Sequence, residues 1–307
     1  MGNDVVIGVD PREPSVPALD WAADEALRRD TSLRMVTAVP PVHDRLSFDA
    51  LAHRSGLRMR AASVLANAED LVRETHGGPR TVTELVDGAP ATVLYERAVD
   101  AAVVVLGSRR LGRTAEVLSE GSVVVPLTAR SPCPVAVIRA PAPEPVHPPL
   151  VVVGVDGSRD CRAAIAFAVA EAGLREARLQ AVWVWPRPLL SRDDAAEGLA
   201  ERRRLLAEAV AGWAERRPDV GIEQEVVRGH PVEELARAAG SAVAVVVGRR
   251  GRGGCSGMRL GSTVRGLLRH ATCPVIAVPL PEATETDGTP VGAAQPRPQG
   301  DQRTATG

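Results

Sequence analysis

At 307 residues the chain has room for two domains of ordinary size, each with its own core. Hydrophobic residues at 45%, charged residues at 24% and a net charge of −1 describe a globular protein without the basic excess of a general nucleic-acid binder. All 37 basic side chains are arginine, and the absence of lysine excludes a P-loop lysine, a kinase-type strand lysine and Schiff-base chemistry together.

The apolar run Val5–Val9 has the length of a strand buried on both faces and ends at Asp10 and Pro11. Trp21, Ala22, Glu25 and Arg28 lie at helical spacing in a first helix that ends near Asp30. A second strand spans Leu33–Val39 and stops at Pro40 and Pro41. From Ser47 to His76 the pattern is helical, with Ala61, Leu65, Ala68 and Val72 on one face and Gly77, Gly78 and Pro79 as the stop. Residues 81–86 predict a third strand, Thr92–Asp100 a short helix and Val103–Leu106 a fourth strand. After the loop from Gly107, a helix begins near Ser122 and a last strand covers Val135–Ile138. Strands and helices alternating at this length require parallel pairing with right-handed crossovers, which is a doubly wound α/β sheet.

The cycle then repeats. Val151–Asp156 (VVVGVD) mirrors Val5–Asp10 (VVIGVD), and Phe167–Ala172 (FAVAEA) mirrors Trp21–Ala26 (WAADEA) at the same offset. Glu225–Pro231 matches Glu84–Pro90, and Cys273–Val275 matches Cys133–Val135. The chain is a tandem duplication. Its predicted parts are a first domain over 1–140, a proline-rich linker over 141–149, a second domain over 150–281 and a disordered tail over 282–307. In the second copy the strands fall at 150–155, 178–184, 222–227, 243–248 and 274–279, and one helix carries Leu206, Val210 and Trp213 as a core stripe.

The stretch Gly248–Ser262 (GRRGRGGCSGMRLGS) follows the fourth strand of the second copy and leads into a helix. Gly248, Gly251, Gly253 and Gly254 allow positive φ and close approach of a ligand, so successive amides can share one concavity with the helix start at Gly261 and Ser262. Ser262 reads as an ordinary N-cap or as a hydroxyl that also touches phosphate. Arg252 and Arg259 are either solvated or aimed at a phosphate. Ligands in such sheets sit beyond the carboxyl ends of the strands, which brings Asp156 towards this loop, as a helix cap, a metal ligand or a contact to the nucleoside.

The spacing Gly248, two residues, Gly251, nine residues, Gly261 and Ser262 resembles the nucleotide loop of the universal stress protein family, and the resemblance spans nearly all of residues 4–280. It implies two five-stranded sheets of order 3-2-1-4-5, the fold of the adenine nucleotide alpha hydrolases, with ATP as ligand, with or without magnesium. It also implies a role as a stress-response sensor or regulator and a homodimer formed through the last strands. By the same resemblance Gly154 and Asp156 contact adenine and ribose, Val184 meets adenine through its backbone, and Gly248, Gly251, Gly261, Ser262 and Thr263 hold phosphate.

The first copy departs from the pattern. Arg110 stands where the second glycine belongs, and Gly121 and Ser122 arrive one residue late, with Glu120 beside the helix start. A non-glycine residue held left-handed costs about 1–2 kcal/mol, roughly a tenfold loss of affinity. The second domain is therefore the expected nucleotide site, while the first, through Gly8, Asp10, Gly107, Gly121 and Ser122, binds weakly or in an altered pose. Two other readings stand beside the regulator: a slow ATPase or nucleotidyl transferase, disfavoured by the missing lysine and carboxylate pair, and a nucleotide-free interaction scaffold. Met1–Asp4 leads directly into a strand with no signal-peptide pattern and no apolar run has membrane-spanning length, so the expected compartment is the cytoplasm. Cys133, Cys161, Cys255 and Cys273 are too widely spaced for a zinc site. Only Cys255, inside the glycine loop, has surroundings that could lower its pKa.

Overall fold

A computed structural model describes residues 3–12, 14–41, 48–108, 123–139, 147–185, 195–252 and 260–280. The first half runs β1 (Asp4–Gly8), α1 (Val16–Arg28), β2 (Leu33–Val39), α2 (Phe48–His76), β3 (Thr81–Asp87), α3 (Pro90–Ala98), β4 (Ala101–Ser108), α4 (Val124–Arg130) and β5 (Val135–Arg139). The second runs β6 (Leu150–Val155), α5 (Arg159–Leu174), β7 (Arg178–Trp185), α6 (Ala195–Val210), α7 (Trp213–Arg216), β8 (Ile222–Arg228), α8 (Pro231–Ala238), β9 (Ala244–Gly248), α9 (Ser262–His270) and β10 (Val275–Val278). The predicted tail and most of the predicted linker lie outside the described residues.

Each half has the strand order 3-2-1-4-5, all parallel, and the halves join into one ten-stranded sheet, β3-β2-β1-β4-β5-β10-β9-β6-β7-β8. The join is the antiparallel pairing of β5 with β10, which sets Val137 opposite Val275, Ala136 opposite Ile276 and Val135 opposite Ala277. Both strands are apolar through their buried lengths and would be aggregation-prone if left as edges. This corrects the expectation of a homodimer through the last strands: their free edges are satisfied by each other within one chain.

Side chains alternate between two helix layers with the period of a strand. Val5, Ile7, Val151 and Val153 face the core beneath α1, α2, α5 and α6, whereas Val6 and Val152 face the one beneath α3, α4, α8 and α9. Both cores run across the two halves. The predicted stripe on α6 is interrupted: Gly212 at φ 76 ends it, Leu206 and Val210 are buried, and Trp213 opens the separate turn α7.

Where α1 meets α5, Glu25, Arg29, Glu171 and Arg175 form a closed ring of ion pairs. Arg29 pairs with Glu25 and Glu171, and Arg175 pairs with the same two carboxylates. The Arg29 guanidinium lies 5.5 Å from the Phe167 ring and that of Arg175 lies 5.2 Å from Trp21. These residues occupy matching places in the repeat, offset by the 146 residues that also separate Arg28 from its acceptor Leu174 O. Two further clasps cross the join. Arg139 Nη1 donates to Arg269 O (2.8 Å) and Ala271 O (3.2 Å), and Arg249 Nη1 donates to Ser131 O (2.9 Å). In each, a cation meets the carbonyl end of a helix.

Candidate functional site

In the second half β6 and β9 are parallel neighbours, in register from Val151 with Ala244 to Val153 with Val246, so their carboxyl ends open on one crevice. Asp156 follows β6 there. Its Oδ1 accepts from Ser158 N–H (2.9 Å) and its Oδ2 accepts from Arg252 N–H (3.0 Å), so one carboxylate ties the end of β6 to the loop after β9. Asp160, in the first turn of α5, does the same from the other side, with Oδ2 accepting from Arg250 N–H (3.1 Å) and lying 3.4 Å from Arg250 Nε. Sequence reasoning missed Asp160; its only signal was an acidic residue two positions past the helix-capping serine. Ser158 caps α5 by accepting from Cys161 N–H (3.1 Å).

The glycines serve close approach rather than the left-handed backbone expected of them. Neither Gly248 nor Gly251 has a positive φ. A Cβ on Gly248 would lie 2.8 Å from the Asp160 carbonyl carbon, and one on Gly251 would lie 2.6 Å from Asp156 Oδ2. The first glycine lets α5 start against the strand end, and the second lets Asp156 reach the loop. The left-handed residue is Gly157, at φ 74, directly over the Trp183 indole. Trp183 escaped the sequence reading because a buried tryptophan on a strand looks like core. It packs against the same turn that the Arg252 guanidinium approaches.

The loop closes where Gly261 N–H donates to Arg249 O (2.9 Å), bringing the Gly248–Gly251 segment against the start of α9. Gly261, not Ser262, is the N-cap, so the capping role expected of Ser262 is corrected. Ser262 is the first helical residue and is exposed, and the amides of Ser262 and Thr263 have no hydrogen-bond partner among the described residues. Val184 lies one residue beyond the last β6–β7 pair, Val155 with Trp183. The structure therefore gathers Asp156, Gly248, Gly251, Arg252, Gly261, Ser262 and Thr263 around one strand-end crevice. At Gly154 the space a Cβ would take is filled by Leu235 and Val247, 3.0 Å away, so the missing side chain lets α8 pack against the strand. Gly253, Gly254, Cys255 and Arg259 lie outside the described residues.

The model of the universal stress protein family matches residues 1–139 and again 150–279. The chain belongs to the universal stress protein family. A universal stress protein of Mycobacterium tuberculosis strain H37Rv is 38% identical over 288 residues, covering 89% of this chain and 95% of its own length. A second from that strain is 33% identical over 304 residues, covering 91% and 95%. The crystal structure of a universal stress protein from Archaeoglobus fulgidus has a TM-score of 0.67 and covers 90% of this chain and 96% of its own; at 17% identity it is a likeness of fold.

The first universal stress protein domain repeats part of this arrangement. Asp10 Oδ1 accepts from Arg12 N–H (2.7 Å), as Asp156 does from Ser158. A Cβ on Gly8 would lie 2.8 Å from Leu94 Cδ1, matching Gly154 against Leu235, and one on Gly107 would lie 2.3 Å from Ser15 Cβ, matching Gly248 against Asp160. Arg110, Glu120, Gly121 and Ser122 lie outside the described residues. Cys133, Cys161 and Cys273 are buried, and burial raises all three thiols, Cys133 to about 11 and Cys273 to about 12.

Proposed function

We propose that this universal stress protein is an ATP-binding stress-response regulator whose nucleotide is held chiefly by the second domain. The observation that carries this reading is the anchoring of one glycine loop from three sides: by Asp156 through the Arg252 amide, by Asp160 through the Arg250 amide, and by Gly261 through the Arg249 carbonyl. A loop so fixed loses little freedom on binding, which is how a preorganised site gains affinity. The donors fit a polyphosphate: the amides of Ser262 and Thr263, unpartnered among the described residues, and their hydroxyls, with the Arg252 guanidinium at the Gly157 turn. Asp156 spends two acceptor positions on backbone amides, and a carboxylate has about four, so it retains capacity for a ribose hydroxyl. The base is expected against the backbone of Val184, one residue past the last β6–β7 pair.

The first domain is the weaker site on this reading. The test uses the whole chain, because the halves share one sheet. Small molecules released by denaturing the purified protein are identified by mass spectrometry, with intact ATP expected. Gly251→Val should abolish retention while the melting temperature is kept, and retention at the wild-type level in that variant would overturn the assignment. Release of ADP over many cycles would instead identify an enzyme.

A further inference from the structure

On the sheet face covered by α3, α4, α8 and α9, a cleft of about 530 Å³ lies between α3, α4 and the start of the loop after β9. That volume is in the range of small-molecule sites. Three arginines line it, Arg130, Arg249 and Arg250, together with Thr92 and Tyr95, and no acidic residue does so among the described residues. Arg249 is held by its bond to Ser131 O and Arg250 by Asp160, so two of the cations are positioned in advance. Arg130 ends α4, is exposed and makes no hydrogen bond or ion pair among the described residues. The rest of the wall is apolar.

The duplication supplies a control. In the second domain Val232 stands where the first has Ala91, Gly266 where it has Pro126, and Glu233 where it has Thr92. There a Cβ on Gly266 would lie 2.3 Å from Val232 Cγ2, so α8 and α9 close on each other and an acid stands at the helix start. The open, cationic cleft is a property of the first domain and the join, not of the repeated fold.

We propose that this cleft binds a small phosphorylated molecule, its phosphate held by Arg130, Arg249 and Arg250 and its carbon skeleton laid against Ala91 and Pro126. Planar guanidinium groups match the oxygens of a phosphate in pairs, and three of them suit a dianion better than a single carboxylate. Arg249 and Arg250 also belong to the loop of the nucleotide reading, but Arg130, Tyr95 and Ala91 belong to the other domain, so variants there test this cleft separately.

Tyr95 is the only tyrosine in the chain, so full-length protein labelled with 3-fluorotyrosine gives one fluorine resonance, from the cleft itself. Titration with inorganic pyrophosphate should move it saturably, and Arg130→Gln should weaken binding roughly tenfold. Ala91→Val, which installs the residue of the second domain and fills the cleft without altering charge, should weaken it as well and keeps the test decisive if Arg130→Gln fails to fold. A resonance unmoved by about 10 mM pyrophosphate, where a millimolar site would be mostly filled, overturns the proposal. So does an equal response in Arg130→Gln and wild type. Wild-type protein that releases no ATP on denaturation but gives a normal Tyr95 response would sink the nucleotide reading alone.

Discussion

Replacing Glu25 or Glu171 singly by glutamine tests whether the ring of charges between α1 and α5 carries a proton at neutral pH. The Glu25 carboxylate is fully buried and that of Glu171 is 2% exposed, against two guanidinium groups. The two carboxylates titrate as a pair. For the first charge, the cost of burial is outweighed by Arg175 and Arg29, and ionisation falls below the ordinary range. For the second, burial dominates and the neighbouring carboxylate repels, so ionisation is pushed up to about 7 from 4.5. The folded protein therefore keeps one proton that the unfolded chain releases between these values, and stability falls as pH rises from 4.5 through about 7. At 1.36 kcal/mol per unit the loss is on the order of 3 kcal/mol. Either single glutamine reproduces the singly protonated ring, so at pH 6 it should cost only about 1 kcal/mol, for one imperfect hydrogen bond. Each should also flatten the fall between pH 5 and 7. The double variant leaves two largely enclosed guanidinium groups without either of their paired carboxylates and should cost about 3–5 kcal/mol, far more than the singles together. Urea unfolding of the four proteins at several pH values measures this cycle. Single variants that each lose about 3 kcal/mol at pH 6, with the pH slope retained, would show both carboxylates ionised and the reasoning wrong.

Gly248→Ala should destabilise the fold by about 1–3 kcal/mol, because its Cβ meets the backbone of α5, which cannot rotate away. Gly251→Ala should be cheaper, since its Cβ meets only a carboxylate that can turn; thermal melts that rank the two in the opposite order would refute this. Native labelling with a thiol reagent at pH 8 should leave Cys133, Cys161 and Cys273 unmodified, as read by peptide mapping, because all three are buried and their thiols are raised. Arg139→Ala should lower stability by roughly 1–3 kcal/mol through the lost bonds to Arg269 O and Ala271 O, measured by the same melts.

The parallel α/β class, the doubling of the chain and the strand-end position of the loop were legible because apolar runs such as Val151–Val155, with helices between them, admit few topologies, whereas the strand order within each half came from the family resemblance. Gly248, Gly251 and Gly261 were legible as a set through their spacing, and Asp156 through its place at a strand end. Their individual reasons were not: that Gly251 exists to let Asp156 reach the Arg252 amide depends on which backbone passes within 3 Å, and no sequence pattern records that distance. Of the two readings of Ser262 the N-cap fails, although serine is a good cap, because Gly261 already has the extended backbone and the bond to Arg249 that start α9.

By itself the sequence determined which segments become strands and helices, that they repeat, and where the glycine-rich loop would fall, since each follows from local periodicity and short-range spacing. Only the tertiary structure decided that β5 and β10 pair within one chain, that Glu25 and Glu171 share two arginines, and that Arg130 faces Arg249 and Arg250 across a cleft. These contacts join residues far apart in the chain, and they are selected by the packing of whole layers, to which no local run of residues is sensitive.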